Sequence, residues 1–126
     1  MKNKKCYCDT GLQFENCCGS YLQNNQKAPT ALALMRSRYS AYATHNADYL
    51  FETTYVSQRK YYSKAEILKW AVSNKWQKLE ILSAEENTVE FRAHFLDSNN
   101  QPQIHYEFST FKFENGAWFY LDGKFE

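Results

Sequence analysis

The sequence predicts an α+β fold in which helices come first and an antiparallel sheet follows. Three observations support this prediction. Apolar residues recur at three- and four-residue steps over residues 31–72, which is the period of a helix with one buried face. Beyond residue 78 they alternate with polar residues, as in a half-buried strand. Asn115-Gly116 is a strong two-residue hairpin signal, so the sheet should end in an antiparallel pair.

Each predicted helix has a recognisable start. Thr30 is a candidate N-cap for a helix over residues 31–44, because its hydroxyl can accept from an unpaired backbone N–H of the first turn. Asn46 can cap a short second helix in the same way. Ser63 and Glu66 have the spacing of a capping box, in which the serine bonds forward and the glutamate bonds back. The sequence therefore predicts three helices before the sheet.

Four strands are predicted after the helices, joined as successive hairpins. The second strand is the clearest, because Val89, Phe91, Ala93 and Phe95 alternate with polar residues. The third strand begins at Pro102, a position where proline is tolerated. The fourth strand follows the Asn-Gly turn.

A turn over residues 98–101 predicts a specific pairing between the second and third strands, with Asp97 opposite Pro102. In this register Phe91 faces Phe108 in the core. A bulge is expected near Ser109 or Thr110, where the apolar parity of the third strand changes. The same register places two pairs together on the solvent face: Arg92 with Glu107, and His94 with His105.

The densest chemistry lies in the first twenty residues, which contain all four cysteines: Cys6, Cys8, Cys17 and Cys18. A C-x-C pair and a C-C pair, joined by a turn at residues 9–11, can bring four thiolates around one ion. Four cysteines in a tetrahedron are a common structural zinc site. The sequence predicts a structural Zn²⁺ ligated by these four residues. A short helix over residues 12–18, ended by Gly19, would return the second pair to the first.

Two alternatives to a metal stay open for these thiols, namely disulfides and unligated cysteines. Four cysteines allow three disulfide connectivities, a pattern typical of secreted chains. No apolar signal segment follows Met1, so a cytoplasmic location is expected, where thiols stay reduced and a metal is favoured. Lys2, Lys4 and Lys5 lie beside the first pair and would offset the negative charge of a four-thiolate site.

Composition excludes several functional classes. The 15 basic and 14 acidic residues give a net charge of +1, which argues against a nucleic-acid-binding protein. No run approaches the eighteen apolar residues of a membrane span. Aromatic residues make up 17% of the chain, which indicates a core or cavity built from rings.

The spacing Cys6-x-Cys8-x8-Cys17-Cys18, with Gly11 and Phe14 between the pairs, resembles the SEC-C motif, a zinc-binding motif that contacts a chaperone in the SecA translocation motor. The resemblance covers residues 6–19. Asp9-Thr10-Gly11 stands where the motif usually has Gly-Ser-Gly, a departure that keeps the turn and leaves the ligands intact.

The whole chain resembles the YchJ-like bacterial family, whose members have no assigned reaction. The resemblance is carried by Leu34–Tyr42, Asp48–Leu50 and the block from Glu114 to Gly123. It implies a nuclear-transport-factor-2-like (NTF2-like, or cystatin-like) cone, with helices packed on a curved four-stranded antiparallel sheet behind a small zinc knuckle. Many relatives have Thr-Trp-His-Pro where this chain has Thr54–Ser57, so chemistry that needs that histidine is in doubt.

The candidate pocket residues of the cone are Arg36, Tyr39, Tyr42 and Asp48. Arg36 or Arg38 could hold an anion at the mouth, but two positions along a helix differ by about 200°, so both cannot point inward. The alternative is that the tyrosines fill the core and the arginine pairs with a carboxylate. Asp48 is the best-placed acid or base, and helix capping is its alternative role.

The prediction that follows is a zinc knuckle over residues 1–22, a linker over 23–29 and an NTF2-like domain over 30–126. The first functional hypothesis is an interaction or adaptor module, in which the knuckle presents Tyr7, Lys4 and Lys5 to a protein partner. The alternative is a small-molecule-binding protein or enzyme that uses the aromatic pocket. No catalytic residue is assigned, because no Ser-His-Asp or glycine-rich phosphate pattern stands out. The open face of the sheet leaves a homodimer possible.

Overall fold

The computed structural model describes residues 4–125, so Lys2 and the ends of the two predicted domains lie outside the described part. Its helices are α1 (Gly19–Leu22), α2 (Ala31–Ala43), α3 (Ala47–Glu52) and α4 (Lys64–Ser73), with 3₁₀ turns at Phe14–Asn16 and Val56–Tyr61. The strands are β1 (Lys75–Ala84), β2 (Thr88–Leu96), β3 (Pro102–Glu114) and β4 (Ala117–Phe125).

The four strands form one antiparallel sheet in the order β1-β2-β3-β4. Helix α2 lies against its concave face, and the buried residues of α2, β2 and β3 form the core between them. This arrangement confirms the predicted α+β class and the cone of helices on a curved sheet.

The three predicted N-cap bonds are present, but within residues 4–125 Glu66 does not make the predicted return bond of the capping box. The Thr30 hydroxyl accepts from the Ala33 N–H at 3.0 Å, and the Asn46 side chain accepts from the Tyr49 N–H at 3.0 Å. The Ser63 hydroxyl accepts from the Glu66 N–H at 3.1 Å. Because these bonds pair helix-end donors locally, the sequence was sufficient to position them.

The predicted helix over residues 12–18 is wrong. Only a 3₁₀ turn forms at Phe14–Asn16, and Gly19 begins α1 instead of ending a helix. A β-carbon at Gly19 would lie 2.7 Å from the Phe14 carbonyl oxygen. The glycine therefore allows α1 to pack closely on the preceding turn.

The predicted register between β2 and β3 is also wrong, by one residue. Leu96, not Asp97, pairs with Pro102. Asp97 instead belongs to a five-residue loop, where its Oδ1 accepts from the N–H groups of Asn99 and Gln101 at 2.9 and 3.0 Å. Because side chains alternate between faces, this slip moves Glu107 and His105 from the solvent face to the core face.

The predicted bulge is present at Thr110 and Phe111, but the extra residue belongs to β4. Thr110 pairs with Asp122 and Phe111 pairs with Tyr120, so Leu121 is left between the two pairs. The side-chain parity of β3 does not change, because Phe108 faces outward and Phe111 inward. No helix within residues 4–125 is both long and apolar enough to cross a membrane.

Candidate metal centre and cone cavity

The four cysteine sulfurs form one compact cluster. All of them lie within 4.8 Å of one another, with Sγ–Sγ distances of 3.6 Å for Cys8 to Cys17 and 4.0 Å for Cys17 to Cys18. A tetrahedral ion with metal–sulfur bonds of 2.3 Å would separate its ligands by about 3.8 Å. All four cysteines are free of disulfides. The cluster thus has the geometry of a four-thiolate metal site.

A small hairpin and the start of α1 position the two pairs of sulfurs. The Cys6 N–H donates to the Leu12 carbonyl and the Phe14 N–H to the Lys4 carbonyl, each at 2.8 Å. Asp9 takes a positive φ of 66° between them, which tightens the turn. The second pair, Cys17 and Cys18, directly precedes α1, and Cys18 is the N-cap residue of that helix.

Three of the four cysteines are buried, and Cys17 is partly exposed. Cys8 is 0% and Cys18 is 1% exposed. Hydrogen bonds from Cys18 and Cys8 lower the pKa of the Cys6 thiol, while the contacts with Cys6 and Cys8 raise the pKa of the Cys18 thiol. Thiolates placed this close together repel one another. A bound cation would remove this repulsion.

The knuckle, defined as residues 4–22, is docked on the α+β domain. The Arg36 guanidinium donates to the Cys8 carbonyl at 2.7 Å. The Leu79 N–H donates to the Asp9 carboxylate at 2.9 Å, and the Ser40 hydroxyl lies 3.5 Å from Cys6 Sγ. Three of the four cysteines are buried against the domain and Cys17 is partly exposed, so a metal held by all four would have no open coordination position, which is typical of a structural site.

A second candidate site is a cavity of about 210 Å³ between α2 and the concave face of the sheet. Its walls are mostly aromatic, with a small polar cluster at one side. Three of the lining residues, Tyr62, Trp70 and Phe125, are also exposed at the protein surface, so the cavity reaches solvent beside them. The complete lining is Met35, Arg38, Tyr39, Tyr42, Tyr62, Trp70, Trp76, Phe91, Ala93, His105, Glu107, Ser109, Tyr120 and Phe125.

The polar cluster is centred on Glu107, a buried carboxylate. His105 Nε2 lies 2.9 Å from its Oε1, and the hydroxyls of Ser109 and Tyr120 donate to its Oε2 at 2.8 and 2.6 Å. Burial by itself would raise the pKa of this carboxyl, but the three hydrogen bonds outweigh burial and lower its pKa. Glu107 is therefore a stable anion inside the cone.

Residues 30–123 match the family described as "YchJ, middle NTF2-like domain". The chain belongs to the YchJ-like family. A UPF0225 protein of Photorhabdus laumondii is 39% identical over 125 residues, which cover 94% of this chain and 79% of the relative. A UPF0225 protein of Geobacter sulfurreducens is 34% identical over 125 residues, which cover 94% and 77%.

Two solved structures from SEC-C motif-containing proteins share the whole architecture. The solution structure from Rhodopseudomonas palustris has a TM-score of 0.86 and 34% identity, and the match covers 94% of this chain and 96% of that one. The crystal structure from Psychrobacter arcticus has a TM-score of 0.81 and 30% identity, covering 96% and 82%. These matches include the cysteine-rich knuckle region, and they support the resemblance of residues 6–19 to the SEC-C motif.

Of the four residues predicted to form the pocket, two line the cavity and two do not. Tyr39 and Tyr42 line the cavity. Arg36 points to the knuckle, as the 200° separation on α2 requires, and Arg38 is the arginine that lines the cavity. Asp48 is on the surface, with its side chain 72% exposed and paired with Lys64 at 2.9 Å.

Sequence reasoning missed Glu107 and His105 as cavity residues, because the slipped register placed both on the solvent face. The histidine found in many relatives after α3 corresponds here to Tyr55 or Val56. Tyr55 donates its hydroxyl to Glu114 and Val56 is exposed, so neither lines the cavity. The carboxylate and the imidazole that line this cavity both come from β3.

A close approach of β4 to Glu107 gives a specific prediction. A β-carbon at Gly123 would overlap Glu107 Oε2 and lie 2.7 Å from the Tyr120 hydroxyl oxygen. Gly123→Ala should therefore displace the carboxylate and lower the free energy of unfolding by about 1–3 kcal/mol. Urea titration measures the loss. In this experiment Asp122→Ala, at the exposed neighbouring position, should unfold like the wild type. Equal stability of the two variants would contradict the close packing.

Proposed function

We propose that this protein uses its four cysteines to hold one structural zinc ion and uses its cone to bind a small organic molecule. The zinc proposal is supported by the ligand set, since four thiolates in a tetrahedral arrangement suit zinc and leave no open coordination position. The zinc ion would hold the knuckle in the shape that docks on α2, because the Cys8 carbonyl accepts a hydrogen bond from Arg36 of that helix.

One observation carries the ligand-binding proposal, namely a buried, ionised carboxylate in the wall of an aromatic cavity that opens to solvent. Ligand sites in proteins combine apolar walls with a few converging polar groups. Here the polar groups are Glu107 and Arg38, and the aromatic rings of Trp70 and Trp76 form part of the wall. A cone that served only as a scaffold could have filled this space with apolar side chains.

The three tryptophans provide an internal test of ligand binding. Trp70 and Trp76 line the cavity, whereas Trp118 lies apart, with its indole N–H donating to the Pro29 carbonyl at 3.3 Å. In a fragment screen followed by NMR, cavity ligands should shift the indole signals of Trp70 and Trp76 and leave that of Trp118 unchanged. A broad screen without saturable shifts at the first two signals would reject the proposal.

Protein interaction through the knuckle is a second candidate function. It is favoured by an open groove of about 650 Å³ between the knuckle and helices α3 and α4, whose walls include Tyr7, Phe14 and Leu68. Beside the cysteine cluster, Leu12 presents an apolar side chain that is 54% exposed. Lys4, whose ammonium lies 4.6 Å from the Tyr7 ring centroid, adds positive charge to this surface.

The interaction is tested by affinity capture from cells with three proteins: wild type, Leu12→Ser and Cys8→Ser. Leu12→Ser changes the exposed surface and keeps the metal ligands, so it should reduce capture of a specific partner while the metal stays bound. Cys8→Ser should abolish capture through loss of the knuckle. A partner retained equally by all three proteins does not use the knuckle.

Self-association is a separate proposal, supported by apolar side chains on the outer face of the sheet. Ile104 and Phe108 are exposed there as a consequence of the observed register. Ile104→Lys should shift a dimer toward monomer in analytical ultracentrifugation. A wild-type protein that is monomeric at all concentrations would exclude the homodimer.

A further inference from the structure

The charge balance of the cone cavity distinguishes between classes of ligand. Its lining contains one permanent cation, Arg38, which is only 7% exposed. The Arg38 guanidinium donates to the Leu50 carbonyl at 2.9 Å and the Thr53 hydroxyl at 2.7 Å. Within residues 4–125 it forms no ion pair with a carboxylate. A buried cation without a counter-charge is costly, and an anionic ligand would lower that cost.

Glu107 does not serve as that counter-charge directly. Its two oxygens are occupied by His105, Ser109 and Tyr120, and the guanidinium of Arg38 lies over the Tyr120 ring at 4.5 Å from the centroid. Within residues 4–125 no carboxylate contacts the Arg38 guanidinium, so Arg38 is the charged group of the lining that remains for a ligand to pair with. This favours an anionic ligand over a cationic one.

The hydroxyl of Tyr42 is a hydrogen-bonding group available to a ligand. Within residues 4–125 this hydroxyl makes no hydrogen bond. Every fully buried polar side-chain atom in that range does have a partner, so the Tyr42 hydroxyl is accessible and not fully buried. Tyr42 lines the cavity and interacts electrostatically with Arg38. Burial raises the pKa of Tyr42, so the hydroxyl keeps its proton and can donate it to a ligand.

We propose that the cavity binds a small organic monoanion, namely a carboxylate attached to an apolar ring. This inference rests on the proposed ligand-binding function and specifies the ligand class. The carboxylate accepts a hydrogen bond from Tyr42 and compensates the charge of Arg38. The ring lies among the aromatic walls, where Trp76 packs at centroid distances of 5.0 Å from Phe95 and 5.4 Å from Tyr42. Apolar walls around a few oriented polar groups are the usual composition of such sites.

Three probes with the same ring and different head charges test this inference: benzoate, benzamide and benzylamine. Each is titrated into the 126-residue protein at neutral pH and low salt, with the indole signals of Trp70 and Trp76 as readout and Trp118 as reference. Benzoate should bind at least about tenfold more tightly than benzamide, since hydrogen bonds to charged groups exceed neutral ones. Benzylamine should bind most weakly.

Tyr42→Phe removes only the hydroxyl and should weaken benzoate binding about tenfold while changing benzamide binding less. Tyr55→Phe is the matched control, because the Tyr55 hydroxyl donates to Glu114 outside the cavity. Benzylamine or benzamide binding as tightly as benzoate would overturn the monoanion and leave ligand binding intact. Unchanged benzoate affinity in Tyr42→Phe would also overturn it. Absence of shifts with all three probes overturns the monoanion, whereas the broad fragment screen decides ligand binding itself.

Discussion

Stripping the metal from this protein should lower the midpoint of thermal unfolding by about 10 °C, given the large contribution of structural zinc to small domains and the usual dependence of melting temperature on stability. Apart from its cysteines, the knuckle contributes only partly buried apolar side chains to the core: Tyr7, Phe14, Tyr21 and Leu22. Without an ion, the buried sulfurs of Cys8 and Cys18 lose their common partner. Calorimetry with and without a strong chelator measures the effect, and elemental analysis should find one zinc per chain.

Cys17→Ser is the sharpest variant for this prediction, because Cys17 is the least buried of the four ligands. Its replacement removes little packing, so a large loss of stability would report on the metal. Leu12→Ser is the control, since Leu12 is exposed and lies between the two pairs without contributing a ligand. It should keep one zinc and the wild-type melting curve. A metal-free wild type with four titratable thiols and a melting curve unaffected by chelator would refute the site.

The cysteine cluster could be predicted from the sequence because its geometry is local. Cys6 and Cys18 lie within one short segment, and the turn at Asp9 brings the two pairs together without help from the rest of the chain. The docking of the knuckle could not be predicted in the same way. The contacts of Arg36 with Cys8 and of Leu79 with Asp9 join residues 28 and 70 positions apart, and neither has a local signature.

The polar residues of the cavity could not be predicted, because the sequence does not determine the length of the loop between β2 and β3. Asp97 can end a strand or anchor a turn, and here its carboxylate accepts from the Gln101 N–H in the loop and from the Gln103 side chain at the start of β3. Alternation alone did not decide between the two registers, since β3 has aromatic residues on both faces. Placing Phe108 outside and Glu107 inside contradicts simple hydrophobic patterning. Such departures are expected at functional sites.

Glu107→Leu should be among the most destabilising substitutions in the domain, lowering the free energy of unfolding by about 2–4 kcal/mol, because it leaves buried donors without an acceptor. Glu107→Gln keeps the shape and one carbonyl oxygen, so a smaller loss of about 1–2 kcal/mol is expected. The matched control is Glu80→Gln. Glu80 also pairs with a histidine, with His94 Nε2 3.1 Å from its Oε1, but on the solvent-exposed face. Urea unfolding should show little change for this control.

The contribution of Glu107 should also depend on pH with a defined sign. Its pKa in the folded protein is lowered by its hydrogen bonds, so the folded state favours the ionised form more than the unfolded state does. The stability difference between wild type and Glu107→Gln should therefore be fully present above the ordinary glutamate pKa of about 4.3, and should shrink as the pH falls below it. The groups facing this carboxylate are His105, Ser109 and Tyr120, and both variants retain them. A difference that grows on acidification would contradict a buried, ionised Glu107. A Glu80→Gln variant as unstable as Glu107→Leu would show that the effect does not depend on burial in the cone.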